Sequence, residues 1–362
     1  MQRLDVTRQS EASELLVVRA RGAPRVRGRQ IGEAAAPLIR QMLATYRLLI
    51  ETSQDRLKLS WPAAVAQSRK YASHAPDNYM EELHGMAEGA GAALDDLMVL
   101  NCAEALIDDA LHLKCTSLAL GPEWTDDRHV LLAHNEDWWP QDQHTLYLIH
   151  AEPEREPPFL ALTYGGLLPC IGLNAAGLAQ CCDSVYPNDS RVGVPRAFVA
   201  RSVLGASDLA EAGLRAAHPH REAGYNHLVV NRAGEILSLE ASALQHAALP
   251  DTVGALVHTN HYLDPAMRQV ERDPASLGRS RLRHERASEL LHAGRPHSRQ
   301  SLARLLADHH NSPSSICCHV QEAQAPLDQY STIASVIIDL TEMTMHVTRG
   351  QPCGASFRSY SM

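Results

Sequence analysis

Leu113-Lys114-Cys115-Thr116-Ser117-Leu118-Ala119-Leu120 is where the period of this sequence changes. Upstream, alanine-rich stretches repeat apolar residues at helical spacing; downstream, short apolar runs are separated by polar or Pro/Gly breaks. Cys115 therefore opens a strand, and a strand that begins on a nucleophile can present it at a sheet edge, facing a pocket. A cysteine thiol has an ordinary pKa of ~8.5 and needs a base or a positive neighbour to become a thiolate. Two sources of that base are open. One is a distant histidine, and the chain has 20. The other is the α-amine that Cys115 would gain if the Lys114–Cys115 bond were cut. An α-amine of pKa ~7.7–8.0 is partly neutral at physiological pH and can take the thiol proton directly or through one water.

Residues from about Gly32 to Ala110 read mostly as helix. Glu33-Ala34-Ala35-Ala36-Pro37-Leu38-Ile39 leads into an apolar stripe through Met42, Leu43, Tyr46, Leu48 and Leu49. Further helices are predicted over Trp61–Ala72, from Pro76-Asp77-Asn78 to Gly89-Ala90-Gly91, and through Leu94 to Leu106. Beyond Cys115, strands are predicted at Cys115–Leu120, His129–His134, Thr145–His150, Phe159–Tyr164, Val253–Thr259, Ser331–Asp339 and Met343–Val347. A hairpin is predicted from Asn226–Asn231 and Glu235–Glu240 around Arg232-Ala233-Gly234. Helices interrupt at Ala197–Leu204, Asp208–Ala217, Arg279–His292 and Arg299–His309. The reading is a helical segment over 1–114 followed by an α+β core over 115–362.

At 362 residues the chain can bury a real core as one large domain or two medium ones. An apolar content of 45% and a charged content of 21% are those of a globular protein, and a net charge of −9 argues against nucleic acid as a partner. The beginning, Met1-Gln2-Arg3-Leu4-Asp5-Val6, lacks the apolar core of a secretory signal, and nothing later approaches a span of ~20 apolar residues. The expectation is a cytoplasmic protein without a membrane partner. Among the eight cysteines, Cys181-Cys182 and Cys317-Cys318 lack the two-residue gap of zinc and redox motifs. All but Cys115 are read as reduced core residues, and neither metal nor cofactor is expected.

Cys115-Thr116-Ser117 at a strand start, Asn135-Glu136-Asp137-Trp138, Gly172-Leu173-Asn174-Ala175-Ala176-Gly177-Leu178 and Thr259-Asn260-His261-Tyr262 together resemble the isopenicillin N acyltransferase-like family. Its members are N-terminal-nucleophile (Ntn) hydrolases related to the choloylglycine hydrolases. The resemblance extends to Gly28-Arg29-Gln30-Ile31-Gly32-Glu33, Gly193-Val194-Pro195, Ser280-Arg281-Leu282-Arg283 and Gly350-Gln351-Pro352-Cys353. It implies a four-layer αββα sandwich made as a precursor that cuts itself between Lys114 and Cys115, leaving chains 1–114 and 115–362 associated. Where members often carry glycine before the cysteine this chain has Lys114, and glycine tolerates strained backbone that lysine does not.

The resemblance also assigns roles. Cys115 is the nucleophile, Asp137 orients its α-ammonium, and Asn260 donates its side-chain amide to the oxyanion. Asn174 lies on the pocket floor or fixes a tight turn. Arg283, one helical turn from Ser280, binds a substrate carboxylate or phosphate, and Trp138 walls an acyl pocket beside Trp139. His258 and His261 are read as structural. The implied activity is hydrolysis or transfer of the acyl group of a small amide or thioester, with acyl-CoA among the donors the family allows. Two other readings stand beside it. One is an uncut relative whose pocket only binds a ligand. The other is a metal-dependent amidohydrolase built on His218-Pro219-His220, the His258–His261 pair or His309-His310.

Overall fold

The computed structural model describes residues 14–107, 114–249 and 254–362; for Lys114 it describes the backbone alone. The expected division at 114 therefore includes segments, 1–13 and 108–113, that lie outside the described residues, as does Val253. The front of the chain forms β1 (Val17–Gly22) and helices α1 (Pro24–Thr52), α2 (Gln54–Leu57), α3 (Trp61–Ala72), α4 (Asp77–Ala90), α5 (Leu94–Asn101) and α6 (Ala103–Ile107). Strands β2 (Lys114–Leu120), β3 (Leu131–Trp138), β4 (Leu146–Pro153), β5 (Phe159–Tyr164), β6 (Ile171–Asn174) and β7 (Leu178–Ser184) follow. Then come α7 (Arg196–Leu204), α8 (Leu209–Ala216), β8 (Tyr225–Asn231), β9 (Ile236–Ala241), β10 (His246–Leu249) and β11 (Ala255–His258). The chain closes with α9 (Gly278–Ala293), α10 (Arg299–Leu306), β12 (Ser331–Asp339), β13 (Thr344–Arg349) and β14 (Arg358–Ser361).

Two sheets result, one of eight strands in the order β1-β4-β5-β6-β7-β8-β9-β10 and one of six in the order β11-β2-β3-β12-β13-β14. Their inner faces share a core in which Leu132, Val336 and Ile338 meet Leu148, Leu160, Leu162 and Leu173. Helices α1 and α4 cover the outer face of the larger sheet through Ile31, Ile39, Leu83 and Met86 against Tyr147, Ile149 and Phe159, and α7 and α8 cover its other end. Helices α9 and α10 cover the smaller sheet through Ala287, Leu291, Leu302 and Leu306. The architecture is the expected α+β, four-layer αββα sandwich.

The front segment is less separate than its helical reading implied, because β1 pairs in parallel with β4 from Val17↔Leu148 to Gly22↔Pro153. Its longest helix also faces inward differently: Ile39, Met42, Tyr46 and Ile50 are buried, whereas Leu48 is 62% exposed. The glycines of the front motif have a packing reason. A Cβ on Gly28 would lie 1.9 Å from the Glu82 carbonyl oxygen and one on Gly32 2.2 Å from that of Met86, and Gly85 and Gly89 of α4 face α1 just as closely. The two helices touch backbone to backbone, an approach that only glycine permits. A buried ion network ties them to the rest of the chain. Glu82 accepts from Arg27 at 2.5 Å and from Arg201 of α7 at 3.1 Å, and Arg201 reaches Glu156 at 3.0 Å.

Candidate active site

Cys115 sits second in β2, where the sheet is incomplete. On one side β2 pairs with β3, setting Cys115 opposite Glu136 and Lys114 opposite Asp137. On the other side β11 pairs only with Ser117–Leu120, its last residue His258 facing Ser117. A side chain takes over from the missing strand: the Cys115 N–H donates to Asn260 Oδ1 at 2.8 Å. Cys115 and Glu136 share a face as a cross-strand pair, and the thiol lies 3.7 Å from Glu136 Oε2.

Glu136 is the centre of a buried network. Its Oε1 accepts from the Tyr164 hydroxyl at 2.8 Å, and its Oε2 lies 2.9 Å from His134 Nε2. His134 Nδ1 meets Ser117 Oγ at 2.9 Å, and that hydroxyl donates to Asp183 Oδ1 at 2.7 Å. Burial pulls the His134 pKa down, but hydrogen bonds with Cys181 and Glu136 carry it well above the ordinary value. Burial, reinforced by the negative charges of Glu136, Asp183 and Asp137, raises the Cys115 pKa well above that of a free thiol. The Cys115 thiol is thus held against ionisation, 3.7 Å from a Glu136 side-chain oxygen.

Asp137 and Asn135 lie inside β3 and not in a loop after it, because the strand predicted at His129–His134 runs on to Trp138. Asp137 Oδ1 accepts from Thr332 Oγ1 at 2.6 Å, while Oδ2 is buried without a hydrogen-bond partner among the described residues. Burial pushes this carboxyl up to about 6, against the opposing pull of Arg283 and Thr332. Asn135 is structural: its Nδ2 donates to the carbonyls of Leu306 and Ile316 at 2.9 and 3.0 Å.

Asn260 is beside Cys115 as expected, with its amide turned the other way. Oδ1 accepts from Cys115 N and, at 2.7 Å, from Arg283 Nη2, whereas Nδ2 donates to the Ser184 carbonyl at 3.0 Å. The expected helical face of Ser280 and Arg283 exists, but its role differs. Ser280 Oγ accepts from Asn260 N at 2.8 Å. Arg283, fully buried, donates to the Cys115 carbonyl and, at 2.9 Å, to Thr116 Oγ1. It holds the Cys115 backbone and the Thr116 hydroxyl, so the expected substrate-anchoring role does not fit its partners. Asn174 is likewise not brought to Cys115. Its Nδ2 donates to the carbonyls of Leu204 and Ala206 and its Oδ1 accepts from the N–H groups of Ala176 and Leu178, which makes it the brace of the β6–β7 turn.

Cys115 lines a narrow cavity with free room of about 60 Å³. Trp138, Leu162, Tyr164, Leu168 and Ile171 form the apolar wall, Trp138 as expected, and Leu100–Ala105 of the front segment closes the other side. Trp139 packs instead against Tyr46 in the core. The polar lining, Glu104, Glu136, Glu222 and Arg196, was not found from sequence. Arg196 bridges Glu104 and Glu222 at 2.9 and 3.0 Å. Glu136 did carry a signal, since it alternates with His134 in one strand and stands within the Asn135–Trp138 motif.

Residues 124–353 match the family model described as acyl-coenzyme A:6-aminopenicillanic acid acyl-transferase, and Cys115 lies just ahead of that segment. The 40 kDa form of acyl-coenzyme A:6-aminopenicillanic-acid-acyltransferase from Emericella nidulans is 24% identical over 345 residues, 93% of this chain and 93% of that protein. Among solved structures, a variant of the conjugated bile acid hydrolase from Clostridium perfringens is 12% identical, covering 68% of this chain and 97% of its own, with a TM-score of 0.44. Penicillin V acylase from Agrobacterium tumefaciens is 16% identical, covering 65% of this chain and 83% of its own, with a TM-score of 0.41. No helix among the described residues is long and apolar enough to cross a membrane.

Proposed function

The chain belongs to the acyl-coenzyme A:6-aminopenicillanic acid acyl-transferase family, and from that premise we propose that it is an autoprocessed N-terminal-cysteine hydrolase or acyltransferase. The observation that carries the proposal is the environment of Cys115. Its N–H is held by Asn260, its thiol faces the Glu136 side chain at 3.7 Å, and it lines an apolar-walled cavity.

In the first reaction Glu136 takes the thiol proton and Sγ attacks the Lys114 carbonyl. The C–N bond to Cys115 breaks, its nitrogen gains a proton, and a thioester links Lys114 to Sγ. Water hydrolyses that thioester, leaving a carboxylate on Lys114 and a free thiol and amine on Cys115. The amine then serves as proton acceptor in turnover. Sγ attacks the substrate carbonyl, the amine passes the proton to the leaving group, and water or a second amine takes the acyl group. Asp137 supports this reading, since its buried Oδ2 lacks a hydrogen-bond partner among the described residues and can accept one from the new α-ammonium. An oxyanion role for Asn260 asks Nδ2 to trade the Ser184 carbonyl for the substrate oxygen.

The carboxylates of the lining already have partners, Glu104 and Glu222 in Arg196 and Glu136 in His134, so the apolar wall of Trp138, Leu162, Tyr164, Leu168 and Ile171 sets the preference, for an apolar acyl group. Acyl-CoA as donor and 6-aminopenicillanic acid as acceptor, the pair in the relative's name, are the first substrates to try. A second reading, a chain that stays uncut and only binds ligand in the cavity, is favoured by Lys114 in place of a small residue and by the protonated thiol. Denaturing mass spectrometry separates the two, because processing gives fragments 1–114 and 115–362 and its failure leaves one chain of 39.7 kDa. An acyl adduct on Cys115 in the mature protein identifies the donor.

A further inference from the structure

Cys317 and His319 flank Cys318 in the segment leading to β12, His309 lies just beyond α10, and Cys353 follows β13. Folding brings the four together, so that one ligand atom of each lies within 4.8 Å of those of the others. We propose that His309, Cys317, His319 and Cys353 bind one divalent ion of the zinc class in a tetrahedral Cys2His2 site.

The distances carry the argument. A tetrahedral zinc ion bound at about 2.3 Å by sulfur and about 2.0–2.1 Å by nitrogen requires ligand edges of about 3.3–3.4 Å between nitrogens and about 3.6 Å between nitrogen and sulfur. Here His309 Nε2 and His319 Nε2 are 3.0 Å apart, and His319 Nε2 lies 3.6 Å from Cys317 Sγ and 3.4 Å from Cys353 Sγ. Hydrogen bonds alone satisfy this cluster poorly. An imidazole nitrogen offers one proton or one lone pair, and His319 Nε2 has three such neighbours. A cation among the four ligands uses every lone pair at once. Thiolate and imidazole donors in a tetrahedron select zinc over calcium or magnesium. His309, His319 and Cys353 are exposed, which leaves the ion a path of entry, while Cys317 is buried. On binding, each cysteine releases its thiol proton to solvent.

The site would act on the Cys115 centre through the backbone. Cys318, between two of the ligands, donates its N–H to Thr332 Oγ1 at 2.9 Å, and that hydroxyl donates to Asp137 Oδ1 at 2.6 Å. Asn135 holds the Ile316 carbonyl of the same segment. The four residues are positioning groups, and any effect on turnover rests on the function proposed above, whereas metal binding does not.

The test is the metal content of the full chain, purified under reducing conditions without chelator and measured by elemental mass spectrometry. About one zinc per chain is expected. Cys353→Ser, at an exposed position that should not compromise folding, and Cys317→Ser should each lower it roughly tenfold or more, with Cys115→Ala retaining it. Cobalt added to chelator-stripped protein should give thiolate-to-cobalt absorption that both serine variants lose. The proposal is overturned if the wild-type chain binds no stoichiometric zinc or cobalt, or if the Cys317→Ser/Cys353→Ser double variant keeps its metal. A Cys317–Cys353 disulfide in the reduced preparation, seen as the loss of two hydrogens, also overturns it.

Discussion

Two convergences of cysteine and histidine border the six-stranded sheet. Around Cys115, the thiol, His134 and Glu136 bring their ligand-type atoms within 4.8 Å, and all three residues are buried. Around Cys317, two thiols and two imidazoles gather as closely, and only Cys317 is buried. The residue types are alike and the chemistry they suit is not. At the inner cluster both His134 nitrogens are engaged, by Ser117 and by Glu136, and Tyr164 holds the second Glu136 oxygen. Every group there has a partner, the thiol included in Glu136 Oε2 at 3.7 Å, so the mobile species is a proton. At the outer cluster one imidazole nitrogen confronts three neighbours at once, so the species that fits is an ion.

The strongest attempt to break this contrast is Cys115→Ala. We expect that variant to remain a single chain and to lose turnover by about 10³-fold or more, with its metal retained. Normal cleavage there would remove the proton-transfer reading of the inner cluster.

Next in size is a pH effect confined to the inner cluster. Burial raises the Asp137 carboxyl from 3.8 to about 6. Folding therefore favours its protonated form, and the stability it contributes is present below pH ~4 and is lost as pH rises through ~6. About two pKa units correspond to about 3 kcal/mol. In the uncut Cys115→Ala chain, Asp137→Asn should raise the urea midpoint relative to its parent at pH 8 and leave it unchanged at pH 3. Equal effects at both pH values would mean that the carboxyl is not held out of water.

Glu136→Gln sharpens the same point kinetically. Removing the carboxylate that faces the thiol should slow appearance of the 115–362 fragment by about 10²-fold, followed by gel over time. An unchanged rate would hand the proton to another base.

The smallest effect lies away from both clusters. Asn174→Ala strips the β6–β7 turn of its brace and should cost about 2 kcal/mol in urea unfolding, with kcat and KM unaltered. A raised KM would return Asn174 to the pocket, where the sequence reading also allowed it.

Elements with a local signal were read well from sequence. Trp61–Ala72, Phe159–Tyr164 and Ser331–Asp339 coincide with α3, β5 and β12 residue for residue. Strand β1 escaped because Val17-Val18-Arg19-Ala20-Arg21-Gly22 is short and its partner β4 lies far along the chain. Strand β6 overlaps the start of the Gly172–Leu178 motif and β7 begins on its last residue; the motif was read for its glycines and not for its hairpin. Within the site, Cys115, Asp137, Asn260 and Trp138 were located by motif, and their partners were not. Arg283 reaches the Cys115 carbonyl across 168 residues, and Asn260 reaches its nitrogen across 145. Pairings at that range are decided by packing, which a linear pattern does not encode. For the same reason the adjacent Cys317-Cys318 gave no zinc spacing: the ligands alternate around Cys318, with the others supplied from His309 and Cys353.

The interlocked glycines of α1 and α4, the parallel β1–β4 ladder and the Arg27–Glu82–Arg201 chain of charges all join residues before Cys115 to each other or to residues after it. A break at that point would release no fragment. It would leave two polypeptides whose recovery from denaturant becomes a bimolecular encounter, dependent on concentration where the intact chain's is not. A nicked molecule of this design would persist through slow unfolding, and once opened it would reassemble poorly from dilute solution.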